Sequence, residues 1–384
     1  MMQEWGLDID WLRATDGRIA SINLESARRR SWSRFFQEPQ RIELAAAVLE
    51  NERLTAQFIG DVDSLDRVDF LARYLDKVDA SSTGALLIRA QVASMLHRFA
   101  DAKRYVAQAA LDGAPEKEVR CLELTIDQAC GVNLELLLHQ RREMARESGR
   151  LDDLVPLGGL LGDLHHFAEA DRVYRQAFQA YRDVSPFPVA WVCFQLGVLW
   201  GELVPEPQET RAEHWYRRAI EYLPSYAKAR IHLAEIYFSS GRLEDAGTLL
   251  VPVAPSGDPE VHWRLADVMA SSGKVAEAEA HRQAARDAFE SLLKRHLLAF
   301  ADHAAEFYAE SGGNCRRALD LARINLANRP TLRAFEQTHA IALSAGDADA
   351  ASELLKDAAK RWGSAAVFRS SRLAQGQILE GAVA

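Results

Sequence analysis

Three pairs of side chains with chemical potential recur along this 384-residue chain: His232 with Glu235, Arg264 with Asp267, and His303 with Glu306. Residues three apart share a helix face, and a His/Glu set can ligate a divalent metal or move a proton. The pairs fall on helices that the pattern described below sets about one helix diameter, roughly 10 Å, apart. That spacing keeps three pairs from sharing one ion, so they read as pairing along a polar wall. His165-His166 falls at a turn and reads as solvent-facing. Cys121, Cys130, Cys193 and Cys315 form no C-x-x-C or metal spacing, and the last two fit as small residues of helices. No Gly-rich phosphate loop, H-E-x-x-H or G-x-S-x-G occurs, and Gly158-Gly159-x2-Gly162 lies within a helical pattern. No catalytic residue, metal or cofactor is expected.

The elements that carry these residues follow from a repeat. In Tyr226–Val253, Leu233, Ala234 and Tyr237 form one apolar stripe, and Leu243, Ala246, Leu250 and Val253 form a second. Ser239-Ser240-Gly241 separates them, with Gly supplying a left-handed turn. Such a pair of short helices cannot bury its apolar face alone and must stack on copies. The copies are present. Leu157-Gly158 leads to Ala170, Tyr174 and Ala177; Leu196-Gly197 leads to Ala212, Tyr216 and Ala219. Leu265-Ala266 leads to Gly273 and Ala278, Tyr308 to Gly312 and Ala318, and Ala342 to Gly346 and Ala351. Upstream, Ala102, Leu136 and Ala170 are spaced 34 and 34, which puts Leu136 in the place of the small residue and Gly131 at the turn of that unit. His97 stands where a turn Gly is expected. Ala170 to Ala212 is 42, the excess falling at Leu203–Pro207, a Pro-containing loop that lengthens one turn.

This array resembles the tetratricopeptide repeat (TPR) family, whose signature places Leu-Gly, aromatics, Ala and Pro over about 34 residues. The resemblance implies an all-α, right-handed α-solenoid of about eight stacked helical hairpins, from Ala85 to Lys360. Residues 81–384 form the array, closed by a capping helix over Ser364–Leu373 and a frayed tail from Gln375. Residues 1–80 read as a helical N-terminal cap with room for one degenerate repeat. Within it Met1–Ser21 reads as irregular, with a strand or turn at Asp16-Gly17. Glu25–Phe36, Arg41–Asn51 and Leu65–Val78 read as helices. The only basic-aromatic cluster, RRRSWSRFF at 28–36, reads as packing Trp32, Phe35 and Phe36 on the first repeat, its arginines solvated or paired with Glu25 and Glu38. The contrasting reading is an amphipathic anchor for an acidic surface or RNA.

Composition sets further bounds. Hydrophobic content of 48% suffices for a continuous core, and a net charge of −9 argues against general nucleic-acid binding. No signal-like leader opens the chain, and the apolar stretch Pro186–Trp200 is too short to span a bilayer. A soluble cytoplasmic protein without membrane insertion is expected.

In such solenoids the first helices line a concave groove. If repeat positions four, seven, eight and eleven face the core, then two, five, nine and twelve face the groove, by the 100° advance per residue. Position five is Val155, Phe194, Ile231 and Trp263; position two includes Trp191 and Lys228. Position nine includes Glu235 and Asp267, and Phe238 is at position twelve. An apolar column of Trp191, Phe194, Ile231 and Trp263, flanked by acids, is therefore the expected docking surface for a protein or peptide partner. On this reading Trp263→Ala weakens capture and spares helicity. Some members of the family hold a terminal carboxylate with a Lys/Asn/Arg set, but here Arg264 is the lone base among the corresponding positions. The expectation is a non-enzymatic interaction scaffold or assembly factor. Its rivals are a subunit with activity in the N-terminal 80 residues and a self-assembling structural protein.

Overall fold

The computed structural model describes residues 12–371, 373 and 374; the first eleven residues and the tail expected to fray lie outside it. Among the described residues every regular element is helical. α1 (Gly17–Gln37) leads into nine antiparallel hairpins. The first four pair α2 (Ile42–Leu54) with α3 (Asp63–Val78), α4 (Thr83–Met95) with α5 (Phe99–Leu111), α6 (Glu116–Ala129) with α7 (Leu134–Ser148), and α8 (Leu151–Asp163) with α9 (Phe167–Ala180). Then come α10 (Pro186–Val198) with α11 (Glu209–Tyr222), and α12 (Ala227–Ser239) with α13 (Leu243–Leu250). α14 (Pro259–Ser271) pairs with the first part of α15 (Val275–Ala309), which bends at His296 (φ −139°, ψ 53°). Its remainder pairs with α16 (Cys315–Asn328), and α17 (Leu332–Ser344) with α18 (Ala348–Trp362). The pairs expected between Ala85 and Lys360 are thus α4 to α18, α15 serving in two. The short α19 (Ala366–Arg369) buries Val367 and Phe368 beside Trp362, in the place of the capping helix.

The hairpins form because a small residue on one helix meets a ring on the other. An added Cβ at Gly158 would lie 2.6 Å from the Tyr174 ring, and one at Gly197 would lie 2.4 Å from Tyr216. Ala170, Ala212 and Ala246 are fully buried on the second helices, as are Ala102 and Ala318. Leu136 departs from the expectation: it is 54% exposed, and Leu137 is buried in its stead. The turn of that unit contains two left-handed residues, Gly131 (φ 64°) and Asn133 (φ 48°), which shift the register by one. The excess at Leu203–Pro207 is a π-helical turn, Leu199–Leu203, followed by an irregular segment.

The N-terminal stretch also differs from its reading. Asp16-Gly17 is neither strand nor turn: the Asp16 carboxylate accepts from the Arg18 and Ile19 amides at 2.9 and 3.1 Å and caps α1. α2 ends in a π-helical turn (Thr55–Ile59) before Gly60 (φ 75°), and with α3 it makes one more hairpin.

The solenoid winds far enough for its early turns to dock on its later junctions. Ser21 Oγ is 2.9 Å from Ser225 Oγ, and the Thr15 amide donates to the Val184 carbonyl at 2.7 Å. An added Cβ at Gly60 would meet Ala227 and Ser256, and one at Gly131 would meet Trp362 and Thr331. His97 (φ 54°) and His165 (φ 62°) hold the left-handed turn position usually given to Gly. Each ring stacks on the Phe two residues on, at 5.3 and 5.2 Å. His97 Nδ1 lies 3.1 Å from the Leu298 carbonyl, Asn328 donates to the His97 carbonyl at 2.9 Å, and His165 Nδ1 lies 2.7 Å from Ser370 Oγ. By contrast, Gly241, Gly273, Gly313 and Gly346, at turns of later units, have open space around them.

Two outcomes follow from this packing. Gly197→Ala drives a methyl into the Tyr216 ring, so it should lower stability by about 1–3 kcal/mol despite better helix propensity, read by denaturant unfolding. Burial, reinforced by Arg329 and opposed by Asp302, pushes His97 down to about 4 from 6.5. The neutral ring is therefore the seated form. Its contribution is complete above pH 6.5 and is lost progressively as pH falls toward 4. Protection factors around 297–299 and 328–331, taken relative to the intrinsic exchange rate at each pH, should fall between pH 7 and about 4.5, and less so in His97→Asn.

Candidate partner-binding wall

The first helices α10, α12, α14, the second part of α15, and α17 present the residues expected to face the groove. The structure divides them in two. Phe194, Ile231 and Trp263 are buried, as is Val155. Phe194 packs on Tyr216, Tyr226 and His232 with centroids 5.7, 5.2 and 5.1 Å away. Trp263, 1% exposed, meets Phe307 edge-on at 5.7 Å and donates Nε1–H to Ser311 Oγ at 3.1 Å. The Arg264 guanidinium covers its other face at 3.7 Å. Position five therefore packs one unit against the next, and the reachable apolar column is corrected to an inter-unit core. Trp191 alone of that column is half-buried, stacked on Phe194 at 5.7 Å.

Apart from Trp191 and Phe238, the rest of the wall is polar. Lys228 sits 3.3 Å from Asp258 and 3.0 Å from Glu260, and Glu260 also holds His303 Nδ1 at 2.7 Å. Arg264 joins Glu235 at 2.6 Å, Glu310 at 3.4 Å and Asp267 at 3.6 Å. His232 Nδ1 lies 2.6 Å from Glu202, which also accepts from the Tyr216 hydroxyl at 2.8 Å and reaches Arg333 at 3.9 Å. Lys228, His232, Arg264 and His303 thus each reach a carboxylate of an adjoining unit, while Arg333 of α17 reaches across to Glu202. The expected His232/Glu235, Arg264/Asp267 and His303/Glu306 pairs are replaced by links between units, except that Arg264 keeps Asp267. Among the described residues no group of three or more His, Cys, Asp or Glu is arranged to hold a metal ion.

The electrostatics of the wall sort its acids. Burial alone would raise Glu202, but His232, Arg333 and the Tyr216 hydroxyl hold it at about 2. Asp302 and Glu260 outweigh burial and lift His303 to about 9, while Lys228 and His303 overcome burial and keep Glu260 well below the usual range. Two acids go the other way. Asp163, at the end of its helix, is open to solvent as a residue while its carboxyl is enclosed. That burial raises it to about 6 against the opposing pull of Gln128, which donates to it at 3.2 Å, and of Arg333 and Arg329. Burial likewise raises Glu306, which accepts from Gln337 at 2.8 Å. Both carboxylates accept from side-chain amides, with Arg333 acting on each from farther off.

Between α12, α14 and the end of α15 lies a cavity of about 180 Å³ lined by Glu235, Phe238, Arg264, Asp267 and Glu310 with Ala234 and Val268. Phe238 is 37% exposed on its wall. Four of the residues singled out from sequence converge here. Glu310, Glu202 and Asp163 were missed because they sit at helix ends rather than at repeat positions within the first helices, where periodicity gives no signal.

No protein-family model matches the chain, and no curated protein does. Solved structures similar to it include the Cut9 chain of the APC/C hetero-tetramer Cut9–Hcn1, at 14% identity and TM-score 0.45 over 87% of this chain. This chain spans 62% of that one's length. Human IFIT1, as a dimer with m7Gppp-AAAA, is 14% identical with TM-score 0.43, covering 94% and 85% of the two chains. Yeast Tom70 is 12% identical with TM-score 0.38, covering 88% and 85%. Similarity this distant leaves partner and activity to be read from this chain's own residues.

Since Trp263 is core, Trp263→Ala should cost about 3–5 kcal/mol in denaturant unfolding, whereas Phe238→Ala, on the cavity wall, should cost under about 1 kcal/mol. In its own geometry the chain is an all-α solenoid of tetratricopeptide-like helical hairpins.

Proposed function

We propose that this protein is a non-enzymatic scaffold whose inner wall holds a basic segment of a protein partner. The observation that carries this is the cavity at Phe238, where three carboxylates, Glu235, Asp267 and Glu310, surround one guanidinium beside a partly exposed ring. Its local charge is negative, and its volume suits a single side chain, not a folded domain. A Lys or Arg of the partner entering there gains the acids and the face of Phe238. Asp163 and Glu306 extend the same preference along the wall as two further carboxyls, each raised by burial that the nearby Arg333 only partly offsets. Residues 1–80 serve in this reading as the capping end of the scaffold and 81–384 as its repeat array. A cytoplasmic setting suits its four free cysteines.

Fluorescence anisotropy with labelled Ala-based peptides tests the reading. A peptide carrying arginines should bind at least about tenfold more tightly than its glutamate counterpart. Phe238→Ala with Glu310→Lys should remove most of that difference without moving the unfolding midpoint. Affinity should fall as pH drops from 7.5 to about 5, because Asp163 becomes neutral near 6. Equal binding of both peptides would sink the proposal.

A further inference from the structure

Along α1, ten positions are exposed: Arg18, Ile19, Ile22, Asn23, Arg29, Arg30, Ser33, Arg34, Phe36 and Gln37. Four are arginine and none is acidic, in a chain where Asp and Glu outnumber Lys and Arg by 55 to 46. Three are large and apolar, Ile19 at 54%, Ile22 at 69% and Phe36 at 55% exposed. At 100° per residue these positions share one side of the helix, and from Arg18 to Gln37 the stripe runs roughly 29 Å. Glu25 borders it and is held by Arg28 and Arg29 at 2.8 and 2.6 Å, while Glu38, just past the helix, pairs with Arg41 at 3.4 Å.

The opposite side of α1 is already committed. Phe35 is fully buried, and Trp32 Nε1 donates at 2.6 Å to Glu52, a buried carboxylate that also pairs with Arg28 and Arg67. The helix start is fixed at Ser225 and Val184. The outward stripe is therefore not a core face awaiting rotation. At its C-terminal end Phe36 continues into a surface cluster with Trp32 (5.4 Å, stacked), Phe70 (6.4 Å) and Tyr74 (6.5 Å), in which Phe70 is itself 44% exposed. Phe36 thus packs on α3 of the first hairpin and still leaves about half of its surface open.

We propose that this face of α1 rests on an anionic lipid bilayer. Charge complementarity selects an anionic partner, since the stripe presents Arg18, Arg30 and Arg34 with no acid among its exposed positions, Arg29 being held by Glu25 at its border, while the chain as a whole carries −9. Shape selects the bilayer. Single apolar side chains protruding from a straight helix need a matching groove on a folded partner, whereas an interface accepts them between headgroups and takes the arginines at phosphate level. Among the described residues no helix is long and apolar enough to cross a membrane, so the face lies on the surface and the rest of the solenoid projects from it. This surface is separate from the acidic inner wall, and either proposal stands without the other.

Flotation of the full chain with vesicles tests it. Vesicles of about 30% phosphatidylserine in phosphatidylcholine should bind at least about tenfold better than phosphatidylcholine alone at about 0.1 M salt, and raising the salt should weaken this. Arg30→Glu with Arg34→Glu should lose about tenfold or more, and Ile22→Ser with Phe36→Ser severalfold. Circular dichroism checks that both variants keep their helicity; should the reversal unfold α1, Arg30→Gln with Arg34→Gln is read instead. Equal binding to both vesicle types, absence of binding, or a charge-reversed variant that binds as the wild type overturns the proposal. So does tighter binding of poly(U) RNA or polyglutamate than of vesicles, which would reassign the face to nucleic acid or to an acidic protein.

Discussion

Close approach of two helices is the constraint from which the rest of this structure follows. At Gly158 and Gly197 the facing tyrosine leaves no room for a methyl group, and the buried alanines of the second helices enforce the same intimacy elsewhere. Hairpins so tight admit a large ring within the pair where the facing residue is glycine, as for Tyr174 and Tyr216. Phe194 and Trp263 reach across to the next unit, where they meet Tyr226 and His232, and Phe307, and Ile231 is buried with them. Once those bulky residues have gone into that core, the inner wall is left mainly to Lys, Arg, His and carboxylates, with Phe238 and Trp191 partly open among them. Its polarity is a consequence of hairpin packing, with each cation placed to tie two units together.

The winding of the solenoid back upon itself is the second-order result. Contacts such as His97 with Leu298 and Asn328, or His165 with Ser370, join residues 201 to 231 apart. They turn a quasi-one-dimensional stack, in which each unit would touch only its neighbours, into a body with tertiary closure. The cost is visible in backbone conformation. Two histidines adopt a left-handed geometry that Gly would adopt freely, and they persist because ring stacking and the docked junction stabilise that turn. Where no junction lies opposite, as at Gly241 and Gly273, glycine holds the turn.

Much of the fold was legible because helix pairs repeat with period, and period survives in sequence. Ala102, Ala170 and Ala212 announced the stack correctly. Leu136 failed because spacing counts residues and cannot register an extra left-handed residue such as Asn133. The inner wall was half legible: Glu235, Phe238, Arg264 and Asp267 do gather around one cavity. The tryptophans misled because a helical wheel gives direction but not depth. A side chain pointing toward the groove is still buried if the next helix reaches it first, as the end of α15 reaches Trp263 through Phe307 and Ser311. Closure of the solenoid left no sequence signal beyond His97 standing in a glycine's place.

Charge is segregated by the same geometry. The inner wall gathers carboxylates, while the exposed side of α1 gathers arginines, so the two surfaces would attract each other if α1 were free to move. It is held elsewhere. Asp16 caps its first turn, Ser21 meets Ser225, Thr15 meets Val184, and Glu52 grips Arg28 and Trp32 from beneath. These contacts lie on the rim formed by the junctions before α10 and α12. A helix anchored on that rim and beneath cannot turn its arginines into its own groove without breaking a buried carboxylate network, and removing a partner from a buried ion pair is strongly destabilising. The anchoring of α1 is what keeps a basic surface and an acidic one open on the same chain, each available to a different partner.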